Sequence, residues 1–189
     1  MKNIFTVDLE DWYHGNLETD NPTKLEDADN RIIELTQLIL RLLDDFDNTA
    51  TFFVLGDVAE RYPDLIRIIH DKGHEIASHG YCHTFVTNKS QDWFYQDISR
   101  SKTLLQNIID TEVIGYRAPY WSLGKSTPWA WSTLANANFV YDSSIFPFST
   151  HLYGDRRAPQ FEYDIHTSDN GDVIKEIPPA VFDTGFFRF

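Results

Sequence analysis

Apolar positions along this chain follow two rhythms that take turns. Short β-rich runs stand at residues 4–7, 50–55, 113–116, 138–141 and 173–177, and another, Glu75-Ile76-Ala77, leads up to His79. Helical spacing fills the intervals. Ile32, Leu35, Ile39, Leu42 and Phe46 recur at three- and four-residue steps and predict an amphipathic helix with that face inward. Pro63 near a first turn and Gly73 just past an end bracket a helix carrying Leu65, Ile66, Ile68 and Ile69. Ser90 can cap a third, with Phe94, Ile98, Leu105 and Ile108 inside, and a fourth lies around 128–135. Residues 18–29, polar and containing Pro22, read as a loop, and 146–171 is loop-rich. Strand and helix alternate in units of about 25–35 residues, so the pattern predicts an α/β fold, a mainly parallel sheet covered by helices.

Four polar residues break the pattern where strands end: Asp8, His79, Arg117 and Asp142. In a barrel such positions converge at one mouth. In Ser78-His79-Gly80-Tyr81-Cys82-His83 two histidines stand four apart. On a helical turn they would share a face and reach one metal ion. Two neutral imidazoles and one carboxylate suit Zn²⁺ or a similar divalent ion, with positions left open for water and substrate. Such an ion acidifies its bound water, and a second carboxylate can take the proton as general base. Asp8, Glu10 and Asp11 supply carboxylates for both roles. Arg117 would orient the base, and Asp142 would fix Arg117 through a bidentate pair.

Charge narrows the partners. A formal net charge of −13 and a pI near 4.7 argue against nucleic acid and anionic membrane. The 189 residues suffice for one domain spanning 1–189. The single Cys82 forbids an internal disulfide and suits a reducing compartment. Asp8 arrives too early for the apolar core of a signal peptide, and no window approaches the roughly 18 apolar residues of a membrane span. A cytoplasmic protein with no membrane span is expected.

The ordered motifs resemble those of the polysaccharide deacetylases of carbohydrate esterase family 4, the NodB-homology family. Thr6-Val7-Asp8-Leu9-Glu10-Asp11-Trp12 stands where that family commonly has Thr-Phe-Asp-Asp-Gly. His79 to His83 resembles its zinc motif, and Tyr116-Arg117-Ala118-Pro119-Tyr120 and Tyr141-Asp142-Ser143-Ser144 its third and fourth motifs. The variant Asp-Leu-Glu-Asp-Trp is similar to the branch found in exopolysaccharide biosynthesis. The resemblance implies a distorted (β/α)7 barrel and a hydrolase that removes N-acetyl groups from the amino sugars of a glycan. It implies Asp8 as general base and a divalent metal, Zn²⁺, on His79, His83 and Asp11, with Glu10 as the alternative carboxylate. It further implies Arg117 orienting Asp8, Asp142 holding Arg117, and the Tyr120 backbone N–H binding the oxyanion. The family's C-terminal Leu-x-His, whose histidine protonates the leaving amine, has no counterpart. Only His151 and His166 follow Asp142, and the apolar ending Gly185-Phe186-Phe187-Arg188-Phe189 is a poor terminus. A barrel lacking its last one or two βα units is therefore expected. Two other readings fit less of the pattern: an allantoinase-like cyclic amide hydrolase, and a carbohydrate-binding relative that no longer catalyses. Trp12 and Trp121 are candidate sugar platforms, and His14 a candidate visitor to the site.

Overall fold

The computed structural model describes residues 4–15, 31–167 and 171–182. The loop expected at 18–29 and the aromatic ending at 185–189 lie outside them. Strands β1 (Phe5–Leu9), β2 (Ala50–Val54), β3 (Glu75–Ser78), β4 (Gly115–Tyr116), β5 (Tyr141–Asp142), β6 (Tyr163–His166) and β7 (Val173–Glu176) form one sheet in the order β1-β2-β3-β4-β5-β7-β6. All neighbours run parallel except β6, which is antiparallel to β7. Between the strands lie helices α1 (Arg31–Asp45), α2 (Gly56–Arg61), α3 (Pro63–Asp71), α4 (Gln91–Ile109) and α5 (Ala130–Asn136). The expected α/β architecture is present.

The sheet curls. Arg117, one residue past β4, reaches Thr6 and Asp8 on β1, three strands away. In a flat sheet three steps span about 14 Å, more than an arginine side chain covers. Thr6, Asp8, Phe53, Arg117 and Tyr141 thus share the concave face, with the Arg117 guanidinium 4.0 Å above the Phe53 ring and the Phe53 and Tyr141 rings 6.5 Å apart. The opposite face packs on the helices through Phe52, Val54, Ile76, Tyr116 and Ile174, which with Phe94, Ile98 and Leu105 of α4 form the core.

Local chemistry explains most boundaries. Ser90 Oγ accepts from Trp93 N–H at the start of α4, Pro63 opens α3, and Gly73 (φ +84°) turns the chain after it. Three expectations shift. In α1 the buried stripe is Ile32, Thr36, Leu40 and Leu43, whereas Leu35, Leu42 and Phe46 are exposed. The apolar arc of α1 is broader than one buried stripe, with Ile32, Ile33, Leu35, Leu38, Ile39, Leu40, Leu42 and Leu43 all on it, so two registers satisfy the same spacing. The strand expected at 138–141 begins only at Tyr141, because Asn138 (φ +59°) is spent ending α5. Strand β6 falls within the stretch read as loop, since four alternating residues on an edge are too short a signal.

Candidate metal and hydrolase site

At the C-terminal ends of β1 and β3, Glu10, His79 and His83 each place one donor atom within 4.8 Å of the others. Glu10 Oε2 lies 2.6 Å from His83 Nε2 and 3.9 Å from His79 Nε2. The histidines do not share a helical turn. Gly80 (φ +78°) bends the chain out of β3, and an irregular loop brings His83 back beside His79 with ring centroids 5.6 Å apart.

The protonation states suit a cation. His79 Nδ1 faces the Arg117 carbonyl at 2.8 Å and must donate to it, which leaves the Nε2 lone pair toward Glu10. Burial pushes the His79 pKa down, so the ring is neutral. Burial works to raise the Glu10 pKa, but the hydrogen-bonding and charge of His83, with His79 and His14, outweigh it and hold the carboxyl below its ordinary value. Among the described residues, Glu10 Oε2 is nevertheless buried without an aligned hydrogen bond, and His83 Nδ1 is buried without a partner. Two imidazoles and a carboxylate this close together, partly buried, are a set that a divalent cation could bridge.

Asp11, the first choice for the carboxylate ligand, is elsewhere. It is buried in the turn after β1, where its Oδ1 accepts from Trp12 N–H at 2.8 Å. Strand alternation explains the exchange: Glu10 leaves β1 on the side facing the β3 loop, and the next residue points away.

The second half of the site stands on the concave face. Arg117, 4% exposed, donates from Nη1 to Asp8 Oδ1 at 2.7 Å and to Thr6 Oγ1 at 3.1 Å. Its other edge is held by Ser143, through the carbonyl at 3.1 Å and Oγ at 2.8 Å. Arg117 therefore joins the halves, its carbonyl orienting His79 and its guanidinium orienting Asp8. A family model for polysaccharide deacetylase matches residues 26–139. The chain belongs to the polysaccharide deacetylase family.

Relatives in this family include a peptidoglycan deacetylase-like protein of Gibberella zeae, 30% identical over 117 residues that make up 61% of this chain and 34% of that protein. The chain spans about a third of the length of this and two further curated relatives it matches. A crystal structure of a candidate polysaccharide deacetylase from Mycobacterium smegmatis superposes with a TM-score of 0.73 at 29% identity, over 94% of this chain and 58% of that one. The Puue allantoinase shares the fold, with a TM-score of 0.60 at 21% identity over 77% of this chain and 43% of the other. The distorted (β/α)7 barrel expected for a NodB-type deacetylase is the fold these neighbours share.

Other residues of the deacetylase motifs take unexpected places. Asp142 makes no hydrogen bond to Arg117; Ser143 does. Adjacent residues at a strand end face opposite sides, so Asp142 lies among the helices, fully buried, accepting from Trp131 Nε1 and Ser144 Oγ. Tyr120 stands in a left-handed turn (φ 57°), with its ring centroid 4.3 Å from that of His83 in an edge-on contact and its hydroxyl donating to the His14 carbonyl. Trp121 packs between Phe146 and Tyr153, so it is no free platform, whereas Trp12 is 60% exposed. His151 and His166 are exposed, outside the Glu10 cluster.

Sequence reading overlooked Glu176, at the end of β7 and opposite Asp142 in register. Its Oε1 accepts from Ile145 N–H at 2.9 Å, and among the described residues no N–H or hydroxyl reaches Oε2, which leaves the Asp142 carboxyl as its neighbour. Burial pushes both carboxyls up, Glu176 further because the Asp142 charge and hydrogen bond add to it, so the pair shares a proton. A carboxyl raised above its unfolded value supports the fold below the unfolded pKa and costs stability as pH climbs through the folded one. Glu176→Gln keeps the acceptor for Ile145 and donates to an ionised Asp142. Its melting temperature should therefore fall less toward alkaline pH than the wild type's. Thermal unfolding followed by circular dichroism across pH checks this, and parallel curves would contradict it.

Proposed function

We propose that this chain carries a metal-dependent deacetylase site that hydrolyses the N-acetyl groups of amino sugars in a glycan, with Glu10, His79 and His83 as the ligands of Zn²⁺. The observation that carries the reading is Arg117, whose two hydrogen-bonded ends place a metal-suited cluster and a candidate base side by side. Relatives named as peptidoglycan and chitin deacetylases support the substrate class.

Zn²⁺, when bound, supplies a Lewis acid for the acetyl carbonyl and acidifies a water. The remaining steps belong to side chains of the chain itself. Asp8 takes the water's proton while Arg117 fixes the carboxylate's direction. The Tyr120 backbone N–H donates to the oxygen on which charge develops. As the carbon–nitrogen bond breaks, Asp8 returns its proton to the departing amine, leaving acetate and a free amino sugar. His14 is not available for that duty, because each of its ring nitrogens is engaged. Trp12, exposed beside the ligand loop, offers an apolar face to a sugar ring.

Asp8→Asn preserves shape and removes the base. Acetate release from N-acetylglucosamine oligomers should fall about 10²- to 10⁴-fold, with zinc stoichiometry unchanged. Equal rates for the variant and wild type would remove Asp8 from this role.

A further inference from the structure

The two loops that meet at the metal cluster come from different strands, and besides the Glu10–His83 contact a side-chain pair links the first of them to the start of α2, which holds the second through its backbone. On the β1 side, His14 Nδ1 accepts from the backbone N–H of Asp11 at 2.8 Å, and His14 N–H donates to the Asp11 carbonyl at 3.0 Å. That fixes the turn immediately after Glu10. With Nδ1 accepting, the neutral ring carries its proton on Nε2, which donates to Asp57 Oδ2 at 3.1 Å. On the β3 side, Asp57 N–H donates to the Tyr81 carbonyl at 3.2 Å, midway between His79 and His83. Gly56 N–H donates to the Gly80 carbonyl at 2.9 Å, and a Cβ at Gly56 would collide with the Tyr81 ring, so the close approach depends on glycine.

We infer that His14 and Asp57 are positioning residues, a strut that locks the Glu10 turn to the His79–His83 loop so that the three metal donors are assembled as one unit. The inference rests on the metal site proposed above. Neither residue offers an atom to the cluster, and neither has a spare polar contact that points to substrate. His14 is 9% exposed and uses its two ring nitrogens within the strut, and the outer Asp57 oxygen is held by Arg61 at 3.2 Å. Without the strut, Glu10 sits on a turn with one pin fewer, and the entropy of ordering that turn is charged to metal binding.

The strut can be opened at either end. Asparagine places its oxygen where His14 Nδ1 stands but falls short of Asp57. Glutamine reaches toward Asp57 but gives up the acceptor for Asp11 N–H. Asp57→Asn keeps an acceptor for His14 Nε2–H. Zinc affinity is read by competition against a chromophoric chelator, with circular dichroism melts confirming the fold. His14→Asn and His14→Gln should each bind Zn²⁺ at least about tenfold more weakly than wild type, while Asp57→Asn stays close to it. Arg61→Ala, which removes the Asp57 and Tyr13 links on the helix and leaves the strut, should leave affinity unchanged. If the His14 variants fail to fold, Asp57→Ala opens the other end and should show the same loss. Folded variants with wild-type affinity, or Arg61→Ala matching their loss, would overturn the strut. A wild-type chain that binds no zinc would overturn the metal site itself.

Discussion

His79→Ala and Glu10→Ala should abolish stoichiometric zinc binding, whereas Asp11→Asn should keep it. The contrast is sharp because Glu10 and Asp11 are neighbours, and only Glu10 faces the histidines. Removing an outer-shell partner of a metal ligand already costs on the order of 10- to 100-fold in affinity, so losing a ligand should exceed that range. Acetate release should fall with the metal in the first two variants. In Asp11→Asn the amide oxygen still accepts from Trp12 N–H, so the turn and the rate survive. Elemental analysis of each purified variant gives the answer. Zinc lost with Asp11→Asn and kept with Glu10→Ala would restore the ligand set that the sequence alone suggests.

The second large effect is expected at Arg117. Arg117→Met fills much the same space above Phe53 but removes the donor from Asp8, Thr6 and the Ser143 carbonyl and Oγ. Breaking a buried charge pair costs about 3–5 kcal/mol. The Asp8 side chain is 22% exposed, and water there softens the penalty, so about 3 kcal/mol is expected. For a chain of this length that lowers the melting temperature by about 6–12 °C. The rate should fall further than stability explains, because Asp8, the proposed base, then lacks its orienting partner. The backbone carbonyl that holds His79 remains, so zinc stoichiometry should stay at the wild-type level. Arg117→Lys should rescue little, since a single ammonium cannot reach Asp8, Thr6 and Ser143 together. A variant that keeps both its melting temperature and its acetate release would remove Arg117 from the centre of the site.

Much of this architecture could be read from residues alone, for physical reasons. Strand β2 is apolar because both of its faces are buried, and Ser90 and Pro63 announce their helices through local hydrogen bonding and fixed φ. Polar residues at strand ends singled out Asp8, His79 and Arg117, which the fold brings together, and Asp142, which it does not. The same rule applied to β7 would have found Glu176. What escaped depends on which way a side chain leaves the backbone. Glu10 against Asp11 and Ser143 against Asp142 are choices between adjacent residues, settled by strand phase at the strand's end. The strut between His14 and Asp57 joins residues 43 apart in sequence and follows no spacing rule. Helix α2, which carries Asp57, is short enough to leave no periodic signal.

Acetate release from N-acetylglucosamine oligomers, measured on zinc-loaded protein, on chelator-stripped protein, and after zinc is returned, tests the central claim most directly. The site described here predicts release by the loaded protein, loss on stripping and recovery on reloading. Release that continues unchanged through stripping, or none from protein shown to hold one zinc per chain, would contradict it.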